Sequence, residues 1–280
     1  MKRGWKGIGM IAVAALLWSM QGVLGKANTW GSFSLVGVRA IFASFVLGCV
    51  RRDFRIPRKR ADWIGGAFVA LTALLFLWAN NLTSAANAII LQYTMPIFVM
   101  LFGLVFLHQK PTWGEFGVSI CVLAGIILCV SGSSARGNLW GDVLALLSAV
   151  SYAGVFYAGK LLGACPKDYS YLGNVCCLLC LLAIPFDADF QLERSGLLSA
   201  AAMGVMVGLG YAAFAAGMRE NVQPTTAAIL SNIEPVANPV WVFLFLGERP
   251  ATISVAGFLM VLVTVSIYGI ATNAQRRRAE

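Results

Sequence analysis

The sequence predicts an all-α polytopic membrane protein, with ten transmembrane helices arranged as two inverted five-helix repeats. Hydrophobic residues make up 59% of the chain and charged residues only 12%, whereas a soluble domain carries roughly 25% charged residues. Apolar runs long enough to cross a bilayer recur from one end of the sequence to the other. A long motif occurs twice at a constant spacing, which indicates an internal duplication.

Ten apolar runs, separated by short polar segments, predict the helices in order. They lie at about Gly7–Gly25, Ser32–Val50, Ile64–Ala79, Ala86–Leu107, Glu115–Ser131, Gly141–Gly159, Tyr169–Pro185, Leu197–Gly217, Thr225–Leu246 and Thr252–Ala271. A helix needs about 20 apolar residues to cross the hydrocarbon core, and these runs are close to that length.

The duplicated motif lies in the fourth and ninth predicted helices and in the turns that follow them. Its copies pair Ala88 with Ala227, Leu91 with Leu230, Pro96 with Pro235, Phe106 with Phe245 and Pro111 with Pro250, always 139 residues apart. The chain therefore divides into a first repeat at residues 1–134 and a second at 135–280, which form one membrane unit. Because each repeat has an odd number of helices, the two repeats are predicted to cross the membrane in opposite directions.

The net charge of +9 follows the predicted topology rather than a nucleic-acid surface. With the N-terminus placed in the cytoplasm, sixteen of the 21 Lys and Arg residues fall inside, four fall outside and one lies within a helix. This imbalance satisfies the positive-inside rule. It predicts a multi-pass protein of the cytoplasmic membrane with both termini in the cytoplasm, in contact with lipid and not with nucleic acid. The basic run Arg51–Arg60 is interpreted as a topology anchor, with partner docking as the alternative.

The motif residues also resemble a known family. Those that carry the resemblance are Thr83–Ala88 leading to Pro96, Ala227–Leu230 leading to Glu234 and Pro235, the turn Leu246–Pro250, and Arg39. Over essentially its whole length the chain resembles the EamA-like family of the drug/metabolite transporter superfamily. That resemblance implies a ten-helix carrier with two repeats that moves small metabolites, often outward. The first repeat departs from the family pattern at Leu107–Gln109, where an acidic residue is common.

Two charged residues, Arg39 and Glu234, fall well inside predicted helices. A charge near the bilayer centre costs about 2.5–3.5 kcal/mol, so each needs a reason to be there. Glu234 adjoins Pro235, and Pro96 marks the same position in the first repeat, so both helices are predicted to be broken there. Broken helices at matching depth are where such carriers bind substrate. Glu234 is therefore predicted to bind a cationic or amino group, or a proton, in a central cavity. The alternative is a structural role, in which Glu234 pairs with Arg39 or caps the loosened backbone.

Further substrate-binding candidates are the aromatic and amide residues near mid-helix. They are Trp18, Trp78, Tyr93 and Tyr152, with Gln21, Asn87, Gln92, Asn232 and Asn238. Aromatic faces attract ammonium groups, although most aromatic residues in membrane helices only pack. Arg39, Pro96 and Pro235 are assigned structural or coupling roles, and the alternative for Arg39 is a clamp for an anion or carboxylate. Gly204 and Gly208 have a small-residue spacing that permits close helix contact, predicted to lie within the chain rather than in a dimer.

These patterns predict a secondary active transporter for a small polar metabolite, an amino acid or a related compound. Export by alternating access is preferred, and protons are the candidate coupling ion. No enzyme signature, metal-ligand spacing or cofactor motif occurs in the sequence. A multidrug or quaternary-ammonium carrier is the alternative within the same class, and a lipid-handling protein or membrane scaffold is the alternative from another. The substrate, the direction of transport and the oligomeric state stay open at this point.

Overall fold

The computed structural model describes residues 3–26, 28–83, 85–130, 138–247 and 252–279. The predicted boundary between the repeats at 134/135 and the turn residues 248–250 lie outside the described residues. The described residues form helices and connecting loops without strands, which confirms the all-α prediction.

Twelve α-helices and one 3₁₀ helix follow one another along the described chain. They are α1 (Arg3–Lys26), α2 (Ser32–Arg51), α3 (Arg60–Leu82), α4 (Ala85–Gln92), α5 (Met95–Leu107), α6 (Trp113–Val130), α7 (Leu139–Leu162), α8 (Pro166–Cys177), the 3₁₀ helix Leu178–Phe186, α9 (Arg194–Arg219), α10 (Pro224–Ser231), α11 (Ile233–Leu246) and α12 (Thr252–Ala279). Several ends follow from local chemistry. Asn138 caps α7 by accepting a hydrogen bond from the Trp140 backbone, and Gly163 ends α7 with a φ of 62°.

Nine stretches of the described chain are long and apolar enough to cross a membrane, so the protein is a multi-pass membrane protein. Three of them combine two helices: α4 with α5, α8 with the 3₁₀ helix, and α10 with α11. The fifth predicted span, about Glu115–Ser131, corresponds to α6, whose apolar part Trp113–Leu128 is shorter than the other nine. The prediction of ten spans is thus confirmed for nine, together with one shorter apolar helix.

The helices of the two sequence halves interlock. Helix α1 packs against α9 and α11, α2 packs between α9 and α8, and α3 packs between α8 and α7. The ring closes through contacts of α7 with α4 and α5, of α5 with α10, and of α10 and α11 with α1. Helices α6 and α12 pack against each other. Neither half has a core of its own, and the ring surrounds a central space.

Gly204 and Gly208 lie in the contact between α9 and α2, which confirms that this spacing serves packing within the chain. A Cβ added at Gly204 would overlap the backbone carbonyl oxygen of Arg39, and one added at Gly208 would lie 2.8 Å from the Val46 Cβ. Replacing Gly204 with alanine should therefore separate the two helices and destabilise the protein by about 1–3 kcal/mol. We expect the midpoint of thermal unfolding in detergent to fall by several degrees.

Gly9 supplies the matched control for that experiment, because a Cβ added there would meet no atom within 4 Å. Gly9→Ala is expected to leave the unfolding midpoint unchanged or to raise it slightly, since alanine favours the helix. Equal midpoints for the two variants would contradict the close contact of α9 with α2 at Gly204.

Candidate substrate cavity

Two of the membrane spans are broken near their middle, as the sequence predicts. Helix α4 ends at Gln92 and α5 begins at Met95, while α10 ends at Ser231 and α11 begins at Ile233. In each case the proline, Pro96 or Pro235, lies in the first turn of the second helix. Proline is tolerated there because the first turn leaves its backbone N–H groups without helical partners.

The breaks border a cavity of about 590 Å³ in the centre of the ring. Among the residues predicted to bind substrate or to support the site, the cavity is lined by Trp18, Gln21, Arg39, Gln92, Tyr93, Tyr152, Glu234, Pro235 and Asn238. Its volume lies in the range of pockets that hold small ligands. The structure thus brings together nine side chains from six separate helices or helix breaks.

Arg39 and Glu234 face this cavity from α2 and α11, and both side chains are partly exposed to it. The Arg39 guanidinium donates a hydrogen bond to the Gln21 carboxamide oxygen. Tyr93, at the break between α4 and α5, lines the cavity together with Glu234. In the described part of the chain, the ion pairs join Lys6 to Glu220 and Arg51 to Asp168. Arg39 and Glu234 therefore attract each other only at longer range, and both charges remain available to a ligand.

Aromatic rings form the deepest part of the cavity. The ring centroid of Trp18 lies 6.5 Å from that of Tyr152 and 4.9 Å from that of Tyr211, both in edge-on arrangements. Trp18 comes from α1 and Tyr152 from α7, so the structure brings together two aromatic residues that are far apart in the sequence. Below them Phe156 and Phe214 meet edge to face, with centroids 5.5 Å apart, and both are fully buried.

Among the described residues, the lining of the cavity extends to one end of the ring. Asn28, Trp30 and Ser32, at the connection between α1 and α2, line its opening together with Asn80 near the end of α3. We call this end the mouth end. At the other end, which carries the Arg51–Arg60 loop and which we call the closed end, buried side chains fill the ring. They include Tyr157, Tyr169, Phe214 and Ile229.

The amide side chains divide between cavity and packing. Gln92 lines the cavity and donates a hydrogen bond to Ser148 on α7, at 3.2 Å. Asn238 lines it one helical turn after Glu234, and its carboxamide packs against Gly22. Asn232 is fully buried, and its amide donates to the carbonyls of Ala228 and Ile229, so it fastens the end of α10.

Three further predicted residues lie away from the cavity lining. Trp78 is 54% exposed on the outer surface of the ring. The α3 residues that face the cavity are Val69, Thr72, Ala73, Phe76, Leu77 and Asn80. At 100° per residue, Trp78 projects from the opposite face of that helix. Asn87 is partly buried in α4 outside the lining, and Pro96 is buried behind it.

Some cavity residues were missed by sequence reasoning. Trp30 was not among the residues predicted to bind substrate, but it is 6% exposed and lines the mouth of the cavity. Asn174 in α8 and Thr72 in α3 also line the cavity. A polar amide in the middle of the seventh predicted span is itself unusual in a membrane helix, and that signal could have identified Asn174.

A ring of apolar, membrane-crossing helices surrounds a cavity that combines apolar and aromatic walls with a few polar groups and two opposite charges. Such a site is typical of a membrane transporter for small molecules. The model of the EamA-like transporter family matches residues 5–131 and again residues 139–270. The chain therefore belongs to the EamA-like transporter family, within the drug/metabolite transporter superfamily, and it is a transporter rather than an enzyme.

Two relatives with stated roles are similar over most of the chain. The pseudopaline exporter CntI of Pseudomonas aeruginosa is 26% identical over 268 residues, covering 92% of this chain and 93% of that protein. A probable terminal-alkyne amino-acid exporter of Streptantibioticus cattleyicolor is 26% identical over 262 residues, covering 86% and 85%. The uncharacterized inner membrane transporter YedA of Escherichia coli is 28% identical over 145 residues, which is 48% of this chain and 46% of that protein. One solved crystal structure aligns with a TM-score of 0.81 and 17% identity over 98% of this chain and 99% of the other, which supports the fold alone.

Proposed function

We propose that the protein is a secondary carrier that exports an amino acid or a closely related zwitterion across the cytoplasmic membrane. One observation carries this proposal: Arg39 and Glu234 line the same cavity without pairing directly in the described structure. A zwitterion presents a carboxylate to the guanidinium and an ammonium group to the carboxylate, so both protein charges gain partners.

The charge balance favours a zwitterion over the alternative quaternary-ammonium substrate. A quaternary ammonium could lie against Glu234 and the rings of Trp18 and Tyr152, where cation–π attraction is worth about 2 kcal/mol when desolvated. It would leave the Arg39 charge without a substrate partner, and a buried unpaired charge is strongly unfavourable. A zwitterion uses the carboxylate, the rings and the guanidinium together.

Alternating access follows from the two-repeat organisation that we propose for residues 1–134 and 135–280. The family model matches the chain twice, and the helix contacts repeat in the same way. The packing of α1 on α9 has its counterpart in α7 on α3, and that of α2 on α9 in α8 on α3. Inverted repeats permit two related packings of similar energy, each open to a different side. Helix α6 is then the fifth span and α12 the tenth.

The orientation of the cavity follows from the distribution of basic residues. With the Arg51–Arg60 loop and both termini in the cytoplasm, the mouth end faces outward. YedA is named as an inner membrane transporter, and two other relatives are named as exporters. These names support export through the cytoplasmic membrane.

Proton exchange is the coupling that the cavity supports. The Glu234 carboxylate can hold either a proton or the ammonium group of a substrate, but not both. A carrier that releases its substrate outside and returns with a proton on Glu234 would move the two in opposite directions.

The test is metabolite profiling of medium and cytosol from cells that express the protein, with non-expressing cells as the control. We expect a small set of zwitterionic metabolites to accumulate in the medium. A change confined to membrane lipids would replace the proposal with lipid handling. Identical profiles, with the protein present in the membrane, would favour the scaffold alternative.

A further inference from the structure

The second and seventh spans are fastened to each other at both ends of the ring. Helix α2 forms the second span, and α8 with the 3₁₀ helix Leu178–Phe186 forms the seventh. These spans lie side by side, with α9 packed on the outer side of α2 and α3 on that of α8.

At the mouth end, the residues before α2 bind those after the 3₁₀ helix. The Asp187 carboxylate accepts a hydrogen bond of 2.9 Å from the Gly31 backbone N–H. The Trp30 indole N–H donates to the Gln191 carbonyl at 2.8 Å, and its ring lies 4.6 Å from that of Phe190. Trp30 is buried, whereas Gly31 and Asp187 are half-buried. We call this set of contacts the mouth clasp.

At the closed end, the last residue of α2 binds the first turns of α8. The Arg51 Nε lies 2.7 Å from the Asp168 carboxylate, and the Arg51 side chain is only 8% exposed. The Arg51 guanidinium carbon also lies 4.4 Å from the ring centre of Tyr171. The Tyr171 hydroxyl in turn donates to the Phe54 carbonyl at 2.8 Å. We call this set of contacts the closed-end clasp.

Between the two clasps the backbones approach closely. A Cβ added at Gly37 would lie 2.6 Å from the backbone nitrogen of Leu181 and 2.9 Å from the carbonyl carbon of Cys180. Contact therefore continues along the length of α2, because a glycine leaves room for the neighbouring backbone.

We infer that the second and seventh spans form the pivot of the transport cycle, and that Arg51, Asp168 and Asp187 are the positioning residues that hold it. This inference rests on the alternating access of the proposed function. In alternating access, the gate at one side of the membrane is closed while the gate at the other side is open. The second and seventh spans are joined at both ends in the same conformation, so they do not separate where the cavity opens. They are therefore part of neither gate. The moving parts are then the groups on either side, α1 with α9 and α3 with α7.

Cross-linking at both clasps tests the pivot. In a variant without the seven native cysteines, Gly31→Cys with Asp187→Cys would form a disulfide, because the Gly31 Cβ position lies 2.8 Å from the Asp187 carboxylate. Arg51→Cys with Asp168→Cys would be joined by a short bis-methanethiosulfonate, which forms a disulfide with each thiol, releases sulfinate and is removed by reduction. We expect the doubly cross-linked protein to transport within about twofold of the same protein after reduction.

A cross-link across the cavity provides the contrasting control. Phe76 on α3 and Met203 on α9 both line the cavity, and their helices belong to the two groups on either side of the pivot. Joining cysteines at these positions should lower transport by about tenfold or more. Loss of transport on cross-linking either clasp, recovered on reduction, would overturn the pivot.

A second readout separates failure of the pivot from failure of the proposed function. Ala158→Cys places a thiol in the buried core of the closed end, where the residue is 1% exposed. With the clasps cross-linked, labelling of this thiol by a membrane-impermeant maleimide from the closed end should continue at the rate of the reduced protein. If cross-linking of the clasps abolished labelling of the thiol at position 158, the pivot would be refuted. Continued labelling in a protein that transports no zwitterion would refute the proposed substrate instead.

Discussion

Replacing Glu234 with glutamine is expected to lower transport of an amino acid in proteoliposomes by about 100-fold or more. The substitution keeps the size of the side chain and removes its charge, so the ammonium group of the substrate is buried without a counter-charge. Removing one partner of a buried ion pair costs about 3–5 kcal/mol, and each 1.36 kcal/mol corresponds to a factor of ten. The variant should also lose any acceleration of transport by an imposed proton gradient, since glutamine cannot carry the exchanged proton.

Glu193→Gln is the matched control for this prediction. Glu193 is exposed at the mouth end, immediately before α9, and lies outside the cavity lining. The Glu193→Gln variant should transport the amino acid at the wild-type rate and should still respond to the proton gradient. Normal transport by Glu234→Gln, with an unchanged response, would assign Glu234 a structural role.

Replacing Arg39 with glutamine is expected to remove recognition of the substrate carboxylate. The wild-type protein should prefer an amino acid over its methyl ester, because the ester has no anionic group for the guanidinium. We expect Arg39→Gln to raise the KM for the amino acid by about 100-fold while changing that for the ester by less than about threefold. The measurement is competition between the amino acid and its ester in counterflow assays.

Arg39→Lys refines this prediction, and Arg194→Gln controls it. Lysine keeps the charge but not the planar fork, so it should recover only part of the preference for a carboxylate. Arg194 is exposed at the start of α9 and lies outside the cavity lining, so its replacement should not change the preference. Equal selectivity in Arg39→Gln and the wild type would refute a carboxylate contact at Arg39.

Replacing Gln21 should also raise the KM for the amino acid, but by less than replacing Arg39 does. Its carboxamide oxygen accepts a hydrogen bond from Arg39 in the cavity wall. Gln21→Leu would leave the guanidinium free to change its orientation, and a net loss of about 1–2 kcal/mol, roughly tenfold in KM, is expected. Gln21→Glu would contribute a competing carboxylate and should lower the affinity for the substrate more than leucine does.

The positions of the helix breaks could be predicted because they depend on local chemistry. Pro96 and Pro235 lack a backbone N–H, so an unbroken helix through either residue would lose a hydrogen bond. The structure has both breaks, two to three residues before each proline. The seventh span, by contrast, has a feature that was not predicted: it changes from an α-helix to a 3₁₀ helix at Leu178. The close approach of Gly37 to Leu181 comes from a distant part of the chain, so local sequence did not indicate it.

The residues that line the cavity could be predicted from the sequence only in part. Glu234 and Arg39 were identified because a charge in a bilayer requires a partner, whichever helix carries it. Trp78 and Trp30 show the limit of that reasoning. An aromatic side chain is stable in lipid, in a packed interface or beside a cavity. Its sequence position does not decide between an outer face, where Trp78 lies, and a cavity wall, where Trp30 lies.

The sequence by itself determined the class of protein, the spans and the residues able to carry charge inside the membrane. These properties depend on chain length, transfer free energy and backbone hydrogen bonding, which are local. Only the tertiary structure decided that Arg39 and Glu234 share one cavity without pairing, that Trp18 meets Tyr152 at its base, and that α2 is clasped to the seventh span at both ends. Those relations depend on the rotation and neighbours of each helix, which are fixed by packing between distant segments.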